Sequence, residues 1–184
     1  MKYIDYIKCR DLSWQVLIRY AVSSLPVSVT NLCRKMQIRI ALYESKNDSD
    51  GYSVTINGFP VIFVNMTCSH RRQRFTAAHE LGHILLGHTG MYRLVNREPS
   101  KKDNYIEQMA NVFASRLLAP SCVLHECGLK TAEDVAELCD ISLQSAAYRI
   151  ERMNLLEVRN KFYTSPLERQ VLKQFADYIA SHKL

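Results

Sequence analysis

The chain has 184 residues, a hydrophobic fraction of 47% and a net charge of +6 at pH 7. That size and composition suit one compact domain, or one plus a small extension, with a core of ordinary apolar content. No apolar run approaches a membrane span, and none of the six cysteines stands in a Cys-x-x-Cys pair, so membrane proteins and cysteine-based metal sites are set aside.

Residues 11–23 read as an amphipathic helix, with Leu12, Val16, Leu17, Tyr20 and Ala21 on one face and Trp14 packing. Pro26 breaks the chain, and Ser28 to Met36 suggests a short second helix. Ile38 to Tyr43 alternates as a strand, and Glu44 to Gly51 is a polar loop. Tyr52, Val54 and Ile56 form a half-buried strand that turns at Asn57-Gly58 and returns as Phe59 to Val64. Pro60 is tolerable there if its missing N–H faces outward. The expected result is a small antiparallel sheet with an edge open to strand addition.

The next helix carries Arg74-Phe75-Thr76-Ala77-Ala78-His79-Glu80-Leu81-Gly82-His83-Ile84-Leu85-Leu86, with Ser69 as its cap and Gly87 and Gly90 as stops. Residues four apart on a helix share a face, so His79 and His83 project side by side and can bind one metal ion. Glu80, beside the first histidine, reaches a water on the metal without being a ligand. That is the arrangement of a zinc hydrolase.

Thr89 to Asn104 lacks periodicity and reads as a loop bordering the site. It holds Tyr92, and Tyr105 follows it; both are candidates to donate to a developing oxyanion, with ordinary packing the simpler role. Ile106, Met109, Ala110, Phe113, Leu117 and Leu118 then recur at helical spacing, with Glu107 on the shoulder of the stripe. Glu107 is the best third ligand. Asn111, one turn later, is placed to hydrogen-bond the far nitrogen of a ligating histidine. His88 is the rival ligand, but nine positions after His79 it falls on the opposite face of a continued helix and reads as a loop or helix-end residue. Glu98 and Asp103 are further rivals that no helical pattern places.

After Pro120, Thr131 caps a short helix ending at Cys139, and Ser142 caps another from Leu143 to Met153, a helix-turn-helix pattern. Arg149 and Arg152 are its basic residues. Arg159 to Tyr163 reads as a short extended piece, and Ser165-Pro166-Leu167-Glu168 is a capping box opening a final amphipathic helix with Leu167, Val171, Phe175, Tyr178 and Ile179 on one face.

Arg74-Phe75-Thr76-x-Ala78-His79-Glu80-Leu81-Gly82-His83, followed by Glu107-x-x-Ala110-Asn111-x-Phe113-Ala114-x-x-Leu117-Leu118-x-Pro120, resembles the ImmA/IrrE family of zinc metallopeptidases. The resemblance runs roughly from the first helix to residue 155. It implies an α+β fold: a zincin-like metallopeptidase core with a small antiparallel sheet in residues 1–121, then a helical extension in 122–184 that contains the helix-turn-helix-like segment 131–153. It implies one zinc ion per chain on His79, His83 and Glu107, with Glu80 as the catalytic carboxylate. It also implies an endopeptidase that cleaves a partner helix-turn-helix repressor and relieves repression of a phage or mobile element, or of a stress response. The C-terminal sensor domain of some members is not expected here.

Two other readings compete. One is a regulatory module that grips its repressor without cutting it, against which an intact Glu80 argues. The other is a DNA-binding regulator using residues 131–153; the modest positive charge, concentrated at His70 to Arg74 and Arg97 to Lys102, allows it but suits a solvated face better. The N-terminus lacks the apolar core of a signal peptide, so a cytoplasmic location with reduced cysteines is expected.

Overall fold

The computed structural model describes residues 2–45, 50–88 and 101–183, with the backbone alone at 101–103. In chain order its elements are α1 (Tyr3–Arg19), α2 (Val29–Lys35), β1 (Arg39–Tyr43), β2 (Gly51–Ile56), β3 (Phe59–Asn65), α3 (His70–Leu85), α4 (Lys101–Leu118), α5 (Ser121–Glu126), α6 (Ala132–Cys139), α7 (Leu143–Val158), α8 (Pro166–Gln174) and α9 (Ala176–His182). The architecture is mixed α and β. The chain falls into two compact units. One comprises Met1–Arg10 with Ser28–Ala114, the other Asp11–Val27 with Ser115–Leu184.

In the first unit the strands lie in the order β1-β3-β2. Asn57 and Gly58 both take positive φ, 51° and 83°, and close the β2–β3 hairpin with Ile56 opposite Phe59. β1 pairs with β3 in parallel, Arg39 opposite Val61 and Tyr43 opposite Asn65. The sheet is therefore mixed, not antiparallel throughout. β3 is the most apolar strand, with Val61, Ile62 and Val64 buried, and a strand covered on both faces belongs in the centre. Pro60 lies one residue before the first β1 partner, so its missing N–H costs the β1–β3 ladder nothing.

α3 packs on β2 and β3, and α2 packs on α3 and β1. The core between them includes Ile62, Ala78, Leu81, Ala110 and Phe113, none with measurable exposure. Ser28 caps α2 by accepting from the Asn31 N–H at 3.3 Å. Ser69 holds the N-cap position of α3, but its side chain accepts no cap bond. His70, Arg71 and Arg72 are exposed, so water reaches the first-turn N–H groups instead.

Two glycines set how closely α3 is approached. A Cβ on Gly51 would collide with Thr76 Cγ2 and meet the Phe63 carbonyl oxygen at 2.6 Å, so the bare glycine clamps β2 onto α3. A Cβ on Gly82 would stand 2.9 Å from the Phe113 ring and 3.4 Å from Ala110 Cα, which sets the spacing of α3 from α4. Overpacking costs about 1–3 kcal/mol, whereas alanine for glycine within a helix returns up to about 1 kcal/mol. Gly51→Ala, which meets backbone and gains no helix propensity, is expected to lower the melting temperature more than Gly82→Ala. Equal melting temperatures for the two variants would refute this account of the packing.

In the second unit α1 contributes Trp14 and Leu17, and the core around them includes Val123, Leu124, Val135, Cys139, Ala146, Val171 and Phe175. α1 starts eight residues before the helix expected from periodicity, because Tyr3 and Ile4 are exposed and leave no amphipathic stripe to read. Thr131 and Ser142 cap α6 and α7, accepting from Asp134 and Ser145 N–H at 3.2 Å each, and Asp140 turns between them with φ of 51°. Residues 159–163 are not extended. Asn160 and Tyr163 take φ of 48° and 62°, making a turn. The final helix is two, α8 and α9, meeting at Phe175, whose ring is fully buried. Gln174 ties them to α1, donating to the carbonyls of Leu17 and Val22 at 2.8 and 2.6 Å.

Arg149 is buried, and its Nε donates to the Ala119 carbonyl at 2.5 Å. It serves the chain just past the end of α4. All six cysteines are free thiols, and burial pushes Cys33 and Cys122 up to about 12. Among the described residues no helix is long and apolar enough to cross a membrane.

Candidate metal centre

α3 presents His79 and His83 one turn apart, with ring centroids 4.7 Å from each other and their Nε2 atoms 2.9 Å apart. α4, held close by Gly82, brings Glu107 to both. Its Oε2 lies 3.0 Å from His79 Nε2 and its Oε1 3.3 Å from His83 Nε2. The histidine side chains are 14% and 8% exposed and Glu107 is 43% exposed, so the cluster is walled on the histidine side and open to solvent beside the carboxylate.

The protonation pattern follows from the surroundings. Asn111 Oδ1 stands 2.9 Å from His79 Nδ1. With an amide oxygen facing it, Nδ1 carries a proton and donates, which makes Nε2, the nitrogen turned toward Glu107 and His83, the one that would bind a metal. Burial opposes a charge on His79, but the hydrogen bond to Glu107 and the nearby carboxylates of Glu80 and Glu107 outweigh it and raise its pKa. The hydrogen bonds from His79 and then His83 hold the Glu107 carboxyl far below the usual carboxylate range. Glu107 is thus an ionised acceptor beside two imidazole nitrogens.

This donor set fits a small divalent cation. Bonds of about 2.0–2.1 Å to a tetrahedral zinc place ligand atoms about 3.3 Å apart, and the three separations here are 2.9, 3.0 and 3.3 Å. At 2.9 Å the two Nε2 atoms need a proton or a cation between them. Ligand atoms of His79, Glu80 and His83 also lie within 4.8 Å of one another, which makes Glu80 an alternative third donor. Glu107 is the better one. Its oxygens lie 3.0 and 3.3 Å from the two nitrogens, whereas Glu80 Oε2 already accepts the Ser53 hydroxyl at 2.8 Å. Glu80 is only 8% exposed. Its carboxylate is oriented by β2 and stands beside the cluster.

Two residues at the site escape a reading of the sequence. Ser53 sits in an alternating strand where serine signals only a polar position. His88 is buried and places its Nδ1 3.2 Å from His83 Nδ1. Burial and the neighbouring His83 push the His88 pKa down to about 4. α3 ends at Leu85, so the continued helix that sends His88 to the far face does not exist.

Of the remaining candidates, the Tyr105 hydroxyl is engaged by the Asp5 carboxylate of α1, which with burial pushes its pKa up to about 12. Tyr92, Glu98 and the side chain of Asp103 lie outside the described residues. Of the loop expected from Thr89 to Asn104, residues 89–100 lie outside the described residues and 101–104 belong to α4.

A peptidase family model, Peptidase_M78, described as the IrrE N-terminal-like domain, matches residues 33–151. The radiation response metalloprotease IrrE of Deinococcus radiodurans is 35% identical over 100 residues, an alignment spanning 49% of this chain and 30% of that protein.

Proposed function

The chain belongs to the family of IrrE N-terminal-like peptidases, and on that premise we propose that it is a zinc-dependent endopeptidase. Its proposed substrate is a partner helix-turn-helix repressor, whose cleavage relieves repression of a mobile element or a stress response. The observation that carries the reading is the meeting of His79 Nε2, His83 Nε2 and the Glu107 carboxylate within 3.3 Å, with a second, separately held carboxylate on Glu80 beside them. A structural site has no use for that second carboxylate.

In this reading His79, His83 and Glu107 would hold one zinc ion. When bound, zinc supplies Lewis acidity, polarising the scissile carbonyl and acidifying the attacking water. Glu80 accepts the proton of that water and passes it to the leaving amine. Ser53 keeps the Glu80 carboxylate aimed by donating to Oε2. Asn111 keeps His79 in the tautomer whose Nε2 is bare.

The repressor is suggested by the family resemblance alone. The Deinococcus relative is named for a radiation response, and the chain covers only 30% of its length. Six free cysteines suit a reducing compartment, and we place the protein in the cytoplasm. DNA binding through residues 131–153 draws no support from Arg149, which is buried against the Ala119 carbonyl.

The test is to incubate the zinc-loaded protein with the repressor encoded beside its gene and identify fragments by mass spectrometry. The reading expects two discrete fragments, abolished by a chelator and restored by zinc. An intact repressor that nevertheless binds the protein stoichiometrically would replace the peptidase with the gripping module.

A further inference from the structure

α3 ends in a specific way. The Gly87 N–H donates to the Ile84 carbonyl at 3.2 Å, and the His88 N–H donates to the His83 carbonyl at 2.8 Å. Gly87 takes φ of 75°. These are the two bonds and the left-handed residue of a Schellman turn, which glycine adopts without the strain a Cβ brings. The turn reverses the chain so that His88 is hydrogen-bonded, backbone to backbone, to His83 itself. Its side chain follows, with the two rings 5.2 Å apart at 66° and the Nδ1 atoms at 3.2 Å. Both residues are buried, at 6% and 7% exposure.

We propose that His88 is a positioning residue for the metal centre: its Nδ1 accepts the Nδ1 proton of His83 and fixes His83 with a bare Nε2 toward His79 and Glu107. The proposal rests on the reading of this cluster as a metal centre. Only one proton fits between two facing Nδ1 atoms. If His88 donated, His83 Nδ1 would be the acceptor and its Nε2 would carry the hydrogen, pointing it at the position a metal needs. With His88 as acceptor, His83 offers the metal a lone pair, as Asn111 ensures for His79 from the other side. The Schellman glycine is then part of the metal site at one remove, because it delivers the acceptor.

Zinc affinity, measured by competition with a chromogenic chelator on the full chain, tests this without any substrate. His88→Leu fills the space and removes the acceptor. His88→Asn keeps an oxygen at the position of Nδ1. Loss of such an outer partner weakens metal binding about 10–100-fold. His88→Leu is expected to weaken zinc by that factor, His88→Asn to recover most of it, and Gly87→Ala, which displaces His88 without changing its chemistry, to fall between. A merely structural role predicts that Leu and Asn move zinc affinity together, in step with the melting temperature of the metal-free proteins. Equal zinc affinity for the Leu and Asn variants, or a Gly87→Ala variant that binds zinc as wild type does, overturns the positioning role. Wild-type protein that holds no zinc overturns the metal-centre reading itself, and the positioning role with it.

Discussion

Glu80→Gln is expected to keep the fold, the zinc and the partner while losing cleavage by about two to four orders of magnitude, the usual contribution of a positioned proton acceptor. Glutamine has nearly the shape of glutamate, and its amide oxygen still accepts the Ser53 hydroxyl that the Glu80 carboxylate accepts at 2.8 Å. What it cannot do is take a proton from the attacking water. Glu80 is not counted among the three metal donors, so binding and chemistry should separate at this one residue. A pull-down of the repressor paired with a gel-based cleavage assay reads both, and derepression in cells should disappear with cleavage. A Glu80→Gln protein that derepresses fully without cutting its partner would mean that gripping, not hydrolysis, is the function.

His79→Ala and His83→Ala should each abolish zinc retention and activity together. Wild-type protein should carry about one zinc per chain, as a tetrahedral site with three protein ligands does. Because zinc binds only the folded site, it should raise the wild-type melting temperature in proportion to the logarithm of its concentration, and leave both alanine variants unmoved. Glu107→Ala should weaken zinc binding, since it removes the carboxylate that lies 3.0 and 3.3 Å from the two nitrogens. Glu98→Ala and Asp103→Ala should not. Elemental analysis after dialysis checks all of these. Full metal retention in either histidine variant would end the ligand assignment.

Much of this site is legible in the sequence because it is built from local rules. His79 and His83 at i and i+4, and Glu107 and Asn111 at the same spacing on α4, follow from helical period alone. What the period does not contain is how α3 and α4 meet. That depends on Gly82, where the lack of a Cβ lets Phe113 and Ala110 approach. His88 was illegible for a different reason. Extrapolating a helix sends it to the far face, whereas a glycine with φ of 75° turns it back onto His83. The signal was present as Gly87, but a stop signal says where a helix ends and not where the next side chain goes.

Ser53 shows a third kind of limit. In an alternating strand, serine reads as a solvent-facing residue, and only the packing of β2 on α3 gives it Glu80 as a partner. Strand order was likewise beyond the sequence. The hairpin turn fixes β2 against β3, yet nothing local decides which of the two takes β1, and the burial of β3 on both faces decides it. Arg149 is a basic residue of the helix-turn-helix-like segment in the sequence, and tertiary structure assigns its guanidinium to the Ala119 carbonyl.

The most direct measurement of the central claim is an anomalous difference map at the zinc absorption edge from crystals of the zinc-loaded protein. The account predicts one peak per chain, bonded to His79 Nε2, His83 Nε2 and a Glu107 oxygen, with Glu80 beside it but unbonded. A peak on His88 or on Glu80, with Glu107 turned into solvent, would contradict it.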